Sequence, residues 1–182
     1  MLINYFWKFR DTIRGDISTD KYIKAGMKVG KNFARQGGCR FDYSHCWLIE
    51  IGDNVGFGPN VQVLAHDAST MRFIGYTKIG RVVFGNNIHV GAGSIILPNT
   101  KIGSNVIIGA GSVVTKDIPD NCVVVGHPAK ISMKLEDFIE KNKDLMDKRP
   151  MYDKNWTTKG GITYSQKEQM KEDLTDGLGF IL

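Results

Sequence analysis

The stretch Phe84–Ile118 reads FGNNIHVGAGSIILPNTKIGSNVIIGAGSVVTKDI, and a six-residue period runs through all of it. An apolar residue leads each unit, and glycine or asparagine is frequent in the positions that follow it. A fixed period indicates a repeat architecture, and six residues are too few for a helical repeat. Hairpins alternate with a period of two, so they do not account for the pattern. The lead residues are Phe84, Val90, Ile96, Ile102, Ile108 and Val114.

Each six-residue unit is interpreted as one short strand followed by one corner. Aliphatic and β-branched residues favour the strand, whereas glycine and asparagine favour the corner because they tolerate positive φ. Three units make a coil of 18 residues, and coils stack about 4.8 Å apart as parallel strands. We therefore expect Phe84 to lie under Ile102 and Val90 under Ile108, with the lead residues filling the interior.

Beyond its period, this region resembles the hexapeptide-repeat acyltransferases. The residues that carry the resemblance are Ile102–Val106, Ile108–Pro119 and Val125–Lys130. The resemblance is closest to the sugar and polysaccharide O-acetyltransferases, and it implies a left-handed parallel β-helix. Spacing alone does not fix this handedness, since parallel crossovers are right-handed in about 98% of cases. The left-handed winding is therefore an implication of the family.

The length of 182 residues is typical of one domain with a modest appendage. We predict an all-β solenoid, a left-handed parallel β-helix of hexapeptide repeats, over residues 27–131. A short helical cap is expected over residues 1–26, because an open first coil needs covering. A tail of helices and loops is expected over residues 132–182.

Helices within the two flanking segments are predicted from their apolar spacing and from polar residues that begin a helix. In the cap, an amphipathic helix is expected at residues 2–14 and a second helix at 19–25. In the tail, helices are expected at 134–148 and 166–174, separated by a loop that contains Pro150. The tail does not follow the hexapeptide pattern.

The repeat is interrupted between Val63 and Phe84, which are 21 residues apart where we expect 18. We infer that the polar, irregular segment 67–81 is looped out of the solenoid. The pattern is also blurred across residues 35–48, which contain polar residues unsuited to the interior. A loop that breaks a regular scaffold is a frequent location of function.

His66 stands at the entrance of this excursion and is the candidate general base. In similar sugar O-acetyltransferases, a histidine just before the looped-out segment has this role. Imidazole titrates near neutral pH, as removal of a hydroxyl proton requires. A carboxylate usually orients such an imidazole, and both Asp42 and Asp67 are candidates. Strand neighbours point in opposite directions, which counts somewhat against Asp67.

Three further side chains are candidates for contact with an acceptor. His45 lies roughly one coil before His66, like Asp42. Arg72 and Tyr76 lie within the excursion, where basic and aromatic side chains suit the orientation of a sugar. Packing of these excursion residues on a neighbouring subunit is equally compatible with the sequence.

The resemblance also implies acetyl-CoA as co-substrate. Four small residues are predicted at corners, where they permit close backbone approach, and two of them, Ala92 and Ala110, match positions along which the pantetheine arm lies in the family. Lysines bind phosphate as point charges, and two lysines and a threonine match positions near the nucleotide end. His89 matches a corner position near the arm. The candidate cofactor-binding residues are His89, Ala92, Gly93, Ala110, Gly111, Thr115, Lys116 and Lys130.

The function that the resemblance implies is acetyl transfer to a hydroxyl of a sugar or polysaccharide precursor, without an acyl-enzyme. It further implies a homotrimer with active sites between subunits. Two alternatives remain open: N-acetylation of an amino-sugar, and a non-catalytic scaffold. A zinc enzyme similar to the γ-class carbonic anhydrases needs three converging imidazoles. The chain lacks that family's pair of histidines five residues apart, so no metal is expected.

Composition restricts the class of protein further. The net charge of +5 suits an anionic small molecule or a charged surface. The sequence has no dense basic tract with interleaved aromatics, so nucleic acid is not expected as a partner. Cys39, Cys46 and Cys122 form no CxxC pair, so free thiols in a reducing compartment are expected. Asn4 and Lys8 interrupt the apolar residues at the start of the sequence, so we expect neither a signal peptide nor a membrane span there. We therefore expect a cytoplasmic protein with no stable membrane insertion.

Overall fold

The computed structural model describes residues 17–182. The chain divides into two compact units, and the boundary along the sequence falls between Leu135 and Glu136. The first element described is helix α1 (Thr19–Lys24), whose N-cap is Ser18 and whose C-cap is Ala25. The helix predicted at residues 19–25 is thereby confirmed. The helix predicted at residues 2–14 lies outside the described residues.

The strands of the repeat region form three parallel sheets, and successive coils each add one strand to each sheet. The first sheet contains β1 (Lys28–Val29), β4 (Ile49–Ile51), β9 (Val82–Phe84) and β12 (Thr100–Ile102). The second contains β2 (Ala34–Arg35), β5 (Val55–Phe57), β10 (Ile88–Val90), β13 (Val106–Ile108) and β15 (Cys122–Val125). The third contains β3 (Arg40–Phe41), β6 (Gln62–Val63), β11 (Ile95–Ile96) and β14 (Val113–Val114).

A further strand, β16 (Lys130–Lys134), pairs antiparallel with β15 at the edge of the second sheet. The hexapeptide pattern stops at Pro128, so this strand has no counterpart in the sequence prediction. It closes the second sheet with a strand of opposite direction. Among residues 17–182, no helix has the length and apolar character needed to cross a bilayer.

The predicted stacking of lead residues is confirmed. Phe84 pairs with Ile102, and Val90 pairs with Ile108. These side chains point into the solenoid and are almost completely buried. Since apolar burial contributes about 25 cal/mol per Å², the ladders are a principal source of stability in this unit. The lead residues with no more than 2% exposure are Phe84, Val90, Ile96, Ile102, Ile108 and Val114.

Asparagines with positive φ form one corner of the solenoid. Asn54, Asn87 and Asn105 have φ between 55° and 57°. Each donates a side-chain hydrogen bond to the asparagine of the next coil, at 2.9 to 3.0 Å, ending on Asn121. The left-handed conformation is open to asparagine at little cost, so the corner is both a turn and a hydrogen-bonded ladder.

The register corrects the predicted size of the interruption. Val63 pairs with Ile96, an offset of 33 residues rather than 18, so 15 extra residues leave this coil instead of three. The preceding coil also carries an insertion, because Phe41 pairs with Val63 at an offset of 22. Both insertions follow a strand of the third sheet and precede a strand of the first sheet. They therefore leave the solenoid at the same corner, one coil apart.

The first insertion is a 3-10 segment, Tyr43–Leu48, in which two short turns meet at His45. The second is more regular than the irregular loop expected at residues 67–81. It contains β7 (His66–Asp67), a 3-10 turn (Ala68–Thr70), α2 (Met71–Ile74) and β8 (Lys78–Ile79). Strands β7 and β8 pair antiparallel, so the excursion is a small hairpin that closes on itself.

The second unit contains most of helix α3 (Leu135–Met146) and the whole of helix α4 (Tyr164–Asp173). These agree with the helices predicted at 134–148 and 166–174. Between them, β17 (Met151–Tyr152) pairs in parallel with β18 (Phe180–Ile181), and Lys154–Trp156 forms a 3-10 turn. The intervening segment, expected to be loop, therefore contains a strand and a turn.

Candidate active site

The two insertions bring Asp42 and His66 together. Asp42 directly follows β3, and its side chain is only 2% exposed. Its Oδ2 contacts Nδ1 of His66 and accepts a hydrogen bond of 3.0 Å from the Ala65 amide. The His66 side chain is 38% exposed, so one edge of the imidazole is fixed on the protein and the other faces solvent.

The protonation states follow from the donors around the Asp42 carboxylate. Burial raises the pKa of Asp42, whereas hydrogen bonds from Ser44, His66 and the Ala65 amide lower it. The hydrogen bonds together outweigh burial, so the net change in the pKa is downward. An ionised carboxylate only accepts hydrogen bonds, so Nδ1 of His66 carries the proton. The Nε2 of neutral His66 consequently keeps a lone pair, which is the requirement for a general base.

Ser44 and His45 extend this hydrogen-bond network. Ser44 Oγ donates to Asp42 Oδ1 at 2.7 Å and lies 3.0 Å from His45 Nδ1. Because the Ser44 proton is directed to the carboxylate, its oxygen accepts from Nδ1–H of His45. The His45 ring lies 5.3 Å from the His66 ring, centroid to centroid. Both imidazoles thus have their Nδ1 protons on the Asp42 side of the site.

Asp42, His45 and His66 also form a group whose potential metal-ligand atoms all lie within 4.8 Å of one another. The hydrogen bonds of the network already occupy the carboxylate and both Nδ1 atoms. The other two histidines of the chain lie elsewhere: His89 is within β10, and His127 follows β15. Three imidazoles do not converge, so the group differs from a three-histidine zinc site.

Asp67 is turned away from His66. Its carboxylate forms an ion pair of 2.5 Å with Lys78 across the base of the hairpin and accepts from the Ser69 amide at 2.9 Å. These contacts, that with Lys78 above all, lower the pKa of Asp67 to about 2. Arg72 and Tyr76 are exposed in the excursion, and Tyr76 is 77% accessible.

The candidate cofactor residues occupy more than one face of the solenoid. Gly111 stacks on Ala92 through a 2.7 Å backbone hydrogen bond, at the corner between the second and third sheets. This is a different corner from that of His66. His89 was predicted at a corner, which is wrong: it is the central residue of β10 and its side chain is exposed. The four exposed residues of this corner are Ala92, Gly93, Ala110 and Gly111.

Three further candidates are also exposed. Thr115 and Lys116 follow β14, so they lie at the corner of His66, two coils further along. At about 4.8 Å per coil, this is a rise of about 10 Å. Lys130 begins β16 at the sheet edge. In one chain, the structure thus assembles Asp42, His45 and His66, and it leaves the pantetheine-corner candidates apart from them.

Sequence reasoning missed Ser44 and Trp47. Ser44 bridges Asp42 and His45, and Trp47 packs on the His45 ring with 5.4 Å between centroids. The signal was the offset of 22 residues between Val29 and Ile51, which marks an insertion between them. The blurred pattern at residues 35–48 concealed that offset.

Comparison with known proteins places the chain in a family. The family described as bacterial transferase hexapeptide (six repeats) matches residues 81–116. Protein CapG of Staphylococcus aureus is 40% identical over 141 residues, which cover 71% of this chain and 78% of that protein. The chain is a hexapeptide-repeat acyltransferase. Within this hexapeptide-repeat acyltransferase, residues 81–116 belong to the regular coils, and Asp42 and His66 lie before them.

Two solved structures resemble this hexapeptide-repeat acyltransferase. A maltose O-acetyltransferase from Clostridium difficile 630 is 44% identical, with a TM-score of 0.54 over 60% of this chain and 59% of that one. A hexapeptide-repeat acetyltransferase from Vibrio cholerae O1 biovar eltor, complexed with acetyl coenzyme A, is 26% identical. Its TM-score is 0.55 over 60% of this chain and 61% of that one. The chain thus spans about three fifths of both solved chains.

Proposed function

We propose that this protein transfers the acetyl group of acetyl-CoA to a hydroxyl of a sugar or polysaccharide precursor. The observation that carries the proposal is the Asp42–His66 pair, in which a buried carboxylate holds Nδ1–H of a partly exposed His66 side chain and leaves its Nε2 as the acceptor atom. The similarity to a maltose O-acetyltransferase supports a sugar hydroxyl. The similarity to an acetyltransferase bound to acetyl coenzyme A supports the donor.

His66 is the general base in this reaction. Its Nε2 takes the hydroxyl proton as the acceptor oxygen attacks the thioester carbonyl carbon. The tetrahedral intermediate is held by a backbone N–H donor, as oxyanions of this kind require. Collapse breaks the C–S bond, and the departing thiolate takes the proton from the imidazolium. Asp42 stabilises the charged His66 between the proton transfer to Nε2 and the proton transfer from it.

The cysteines support direct transfer without an acyl-enzyme. Cys39, Cys46 and Cys122 are all buried. The thiols of Cys39 and Cys46 are directed at backbone carbonyl oxygens. Burial raises the pKa of the Cys122 thiol, which lowers its thiolate fraction and thus its reactivity. These thiols are packed side chains, and the acetyl group passes directly from sulfur to oxygen.

The acetyl-CoA site and the assembly form the second part of the proposal. The pantetheine arm lies along the small corner residues, and Thr115, Lys116 and Lys130 bind near its nucleotide end. Because the arm's corner and the His66 corner are different corners of one chain, the arm reaches His66 from a neighbouring subunit. A homotrimer of left-handed β-helices, the arrangement implied by the family resemblance, meets this requirement.

The test is a panel of acceptors incubated with acetyl-CoA while free thiol is measured. Maltose, a methyl galactoside and glucose present only hydroxyl groups, and glucosamine adds an amine. We expect thiol release with the hydroxyl-only sugars, together with an ester that hydroxylamine removes. Release with glucosamine alone, giving a hydroxylamine-resistant amide, would overturn O-acetylation in favour of N-acetylation. No release with any acceptor would leave only a scaffold role.

A further inference from the structure

Trp47 is an exposed tryptophan on a rigidly held segment. Its side chain is 54% exposed, although tryptophan is among the side chains with the most to gain from burial. The adjacent residue, Cys46, is fully buried and its thiol donates to the Ala25 carbonyl at 3.3 Å. A methyl group added at Gly26 would come within 2.9 Å of the Trp47 Cβ, so the two backbone segments are in close contact. The indole is therefore anchored at its base and open at its ring.

The indole is also linked to the candidate base through the His45 ring, which lies next to both. Trp47 lies 5.4 Å from His45, centroid to centroid, with an interplanar angle of 51°. His45 in turn lies 5.3 Å from His66, with an angle of 47°. A ring-shaped ligand placed over His45 would therefore have the indole on one side and the candidate base on the other. The Ser44 hydroxyl holds the His45 ring through Nδ1 and is itself held by the Asp42 carboxylate.

We propose that Trp47 and His45 form the acceptor subsite, on which a pyranose ring stacks with one edge hydroxyl beside His66. This inference rests on the proposed function for the position of the reacting hydroxyl. It assigns Trp47 as a specificity-determining residue and names ring sugars as the class of acceptor preferred over acyclic polyols.

The chemistry of the two surfaces is complementary. One face of a pyranose carries C–H bonds with partial positive charge, and the face of an indole carries the negative part of its quadrupole. The sugar's hydroxyls project from the ring edge, where the Nε2 atoms of His45 and His66 can accept them. A stacked ring thereby satisfies its polar edge and its apolar face at once, whereas an acyclic polyol has no such face.

The kinetic test compares wild type with Trp47→Ala and Trp47→Phe, using maltose and glycerol as acceptors. An aromatic contact of this kind changes affinity by about 3- to 10-fold. We expect Trp47→Ala to raise the KM for maltose by that factor, with Trp47→Phe in between. The KM for glycerol and the KM for acetyl-CoA should remain within about twofold of wild type. An unchanged maltose KM would overturn the subsite.

A binding readout separates this inference from the proposed reaction. The chain has three tryptophans, so maltose titration without acetyl-CoA is followed by tryptophan fluorescence in wild type, Trp47→Phe and Trp156→Phe. Trp156 packs on Tyr152 in the second unit and is the matched control. A saturable change that is lost only in Trp47→Phe supports the subsite, even if acetyl transfer were absent.

Three further outcomes would contradict the subsite. The first is a fluorescence response that persists in Trp47→Phe or is absent in wild type. The second is a raised KM for acetyl-CoA in Trp47→Ala, which would assign the indole to the cofactor. The third is a change of oligomeric mass in that variant, measured by light scattering, which would assign the indole to contact with a second copy of the chain.

Discussion

The Asp42 carboxylate accepts a hydrogen bond from Nδ1–H of His66, although the two residues are 24 positions apart in the chain. The contact exists because two insertions leave the solenoid at the same corner in consecutive coils. Asp42 is buried beneath the imidazole, so its charge acts on His66 through a site of reduced solvent access. The pair is the structural basis of the proposed catalysis.

Replacement of Asp42 by asparagine should lower kcat strongly. The neutral amide preserves the shape of the side chain but no longer stabilises the imidazolium or enforces the Nδ1–H tautomer. We expect kcat to fall by about 10²- to 10⁴-fold, measured by thiol release at saturating acceptor. Acetyl-CoA affinity, measured by calorimetry, should be unchanged. A variant within threefold of the wild-type kcat would show that Asp42 does not act through His66.

Asp42 should also make the free energy of unfolding depend on pH in the acidic range. Despite the opposing effect of burial, hydrogen bonds hold its folded pKa below the ordinary value of 3.8. A carboxyl group whose pKa is lower in the folded state than in the unfolded state stabilises the fold at pH values above the unfolded-state pKa. This stability is lost as the pH falls through the folded-state pKa. Urea denaturation of wild type and Asp42→Asn across this range measures the difference. The wild-type advantage should shrink as the pH falls below about 4, and an advantage that grew in acid would have the wrong sign.

Removal of one lead residue should destabilise the solenoid. Ile102 is fully buried and lies between Phe84 and Ile118 of the neighbouring coils. Ile102→Ala therefore leaves a cavity and loses apolar burial. We expect the free energy of unfolding to fall by about 2 to 5 kcal/mol. The neighbouring Lys101 is exposed, and Lys101→Ala should change it by less than about 0.5 kcal/mol. Equal effects of the two variants would mean that the ladder is not the core.

The asparagine corner predicts an order of stability among variants. Asn105 has φ 57°. Its side chain donates a hydrogen bond of 2.9 Å to Asn121 and accepts one of 3.0 Å from Asn87. Alanine loses the hydrogen bonds and resists positive φ, whereas glycine loses only the bonds. We expect Asn105→Ala to cost about 1 to 3 kcal/mol and Asn105→Gly less. Thermal unfolding of both variants tests the order, and greater stability of the alanine variant would refute it.

The regular part of the fold was predictable because six-residue spacing leaves little choice. Phe84, Val90 and Ile102 are interior residues at fixed intervals, and their register follows from counting. The asparagines and glycines identify the corners for a physical reason, since they tolerate positive φ. These features are local, so one sequence contains all of the information needed to place them.

The site was only partly predictable, because it depends on register across the insertions. His66 was marked by the interruption that follows it, but Asp42 and Asp67 could not be separated by spacing. Only the paired strands reveal that Asp42 lies beneath His66 while Asp67 binds Lys78. Trp47 lies in an insertion with no repeat of its own, so no period indicated where its ring would lie.

The central claim is that His66 is the base of acetyl transfer from acetyl-CoA to a sugar hydroxyl. Its most direct test is kcat for thiol release by His66→Ala, with circular dichroism and acetyl-CoA affinity as controls for folding and cofactor binding. The account predicts a fall of about 10²-fold or more, with both controls unchanged. A folded His66→Ala variant that acetylates maltose at the wild-type rate would contradict it.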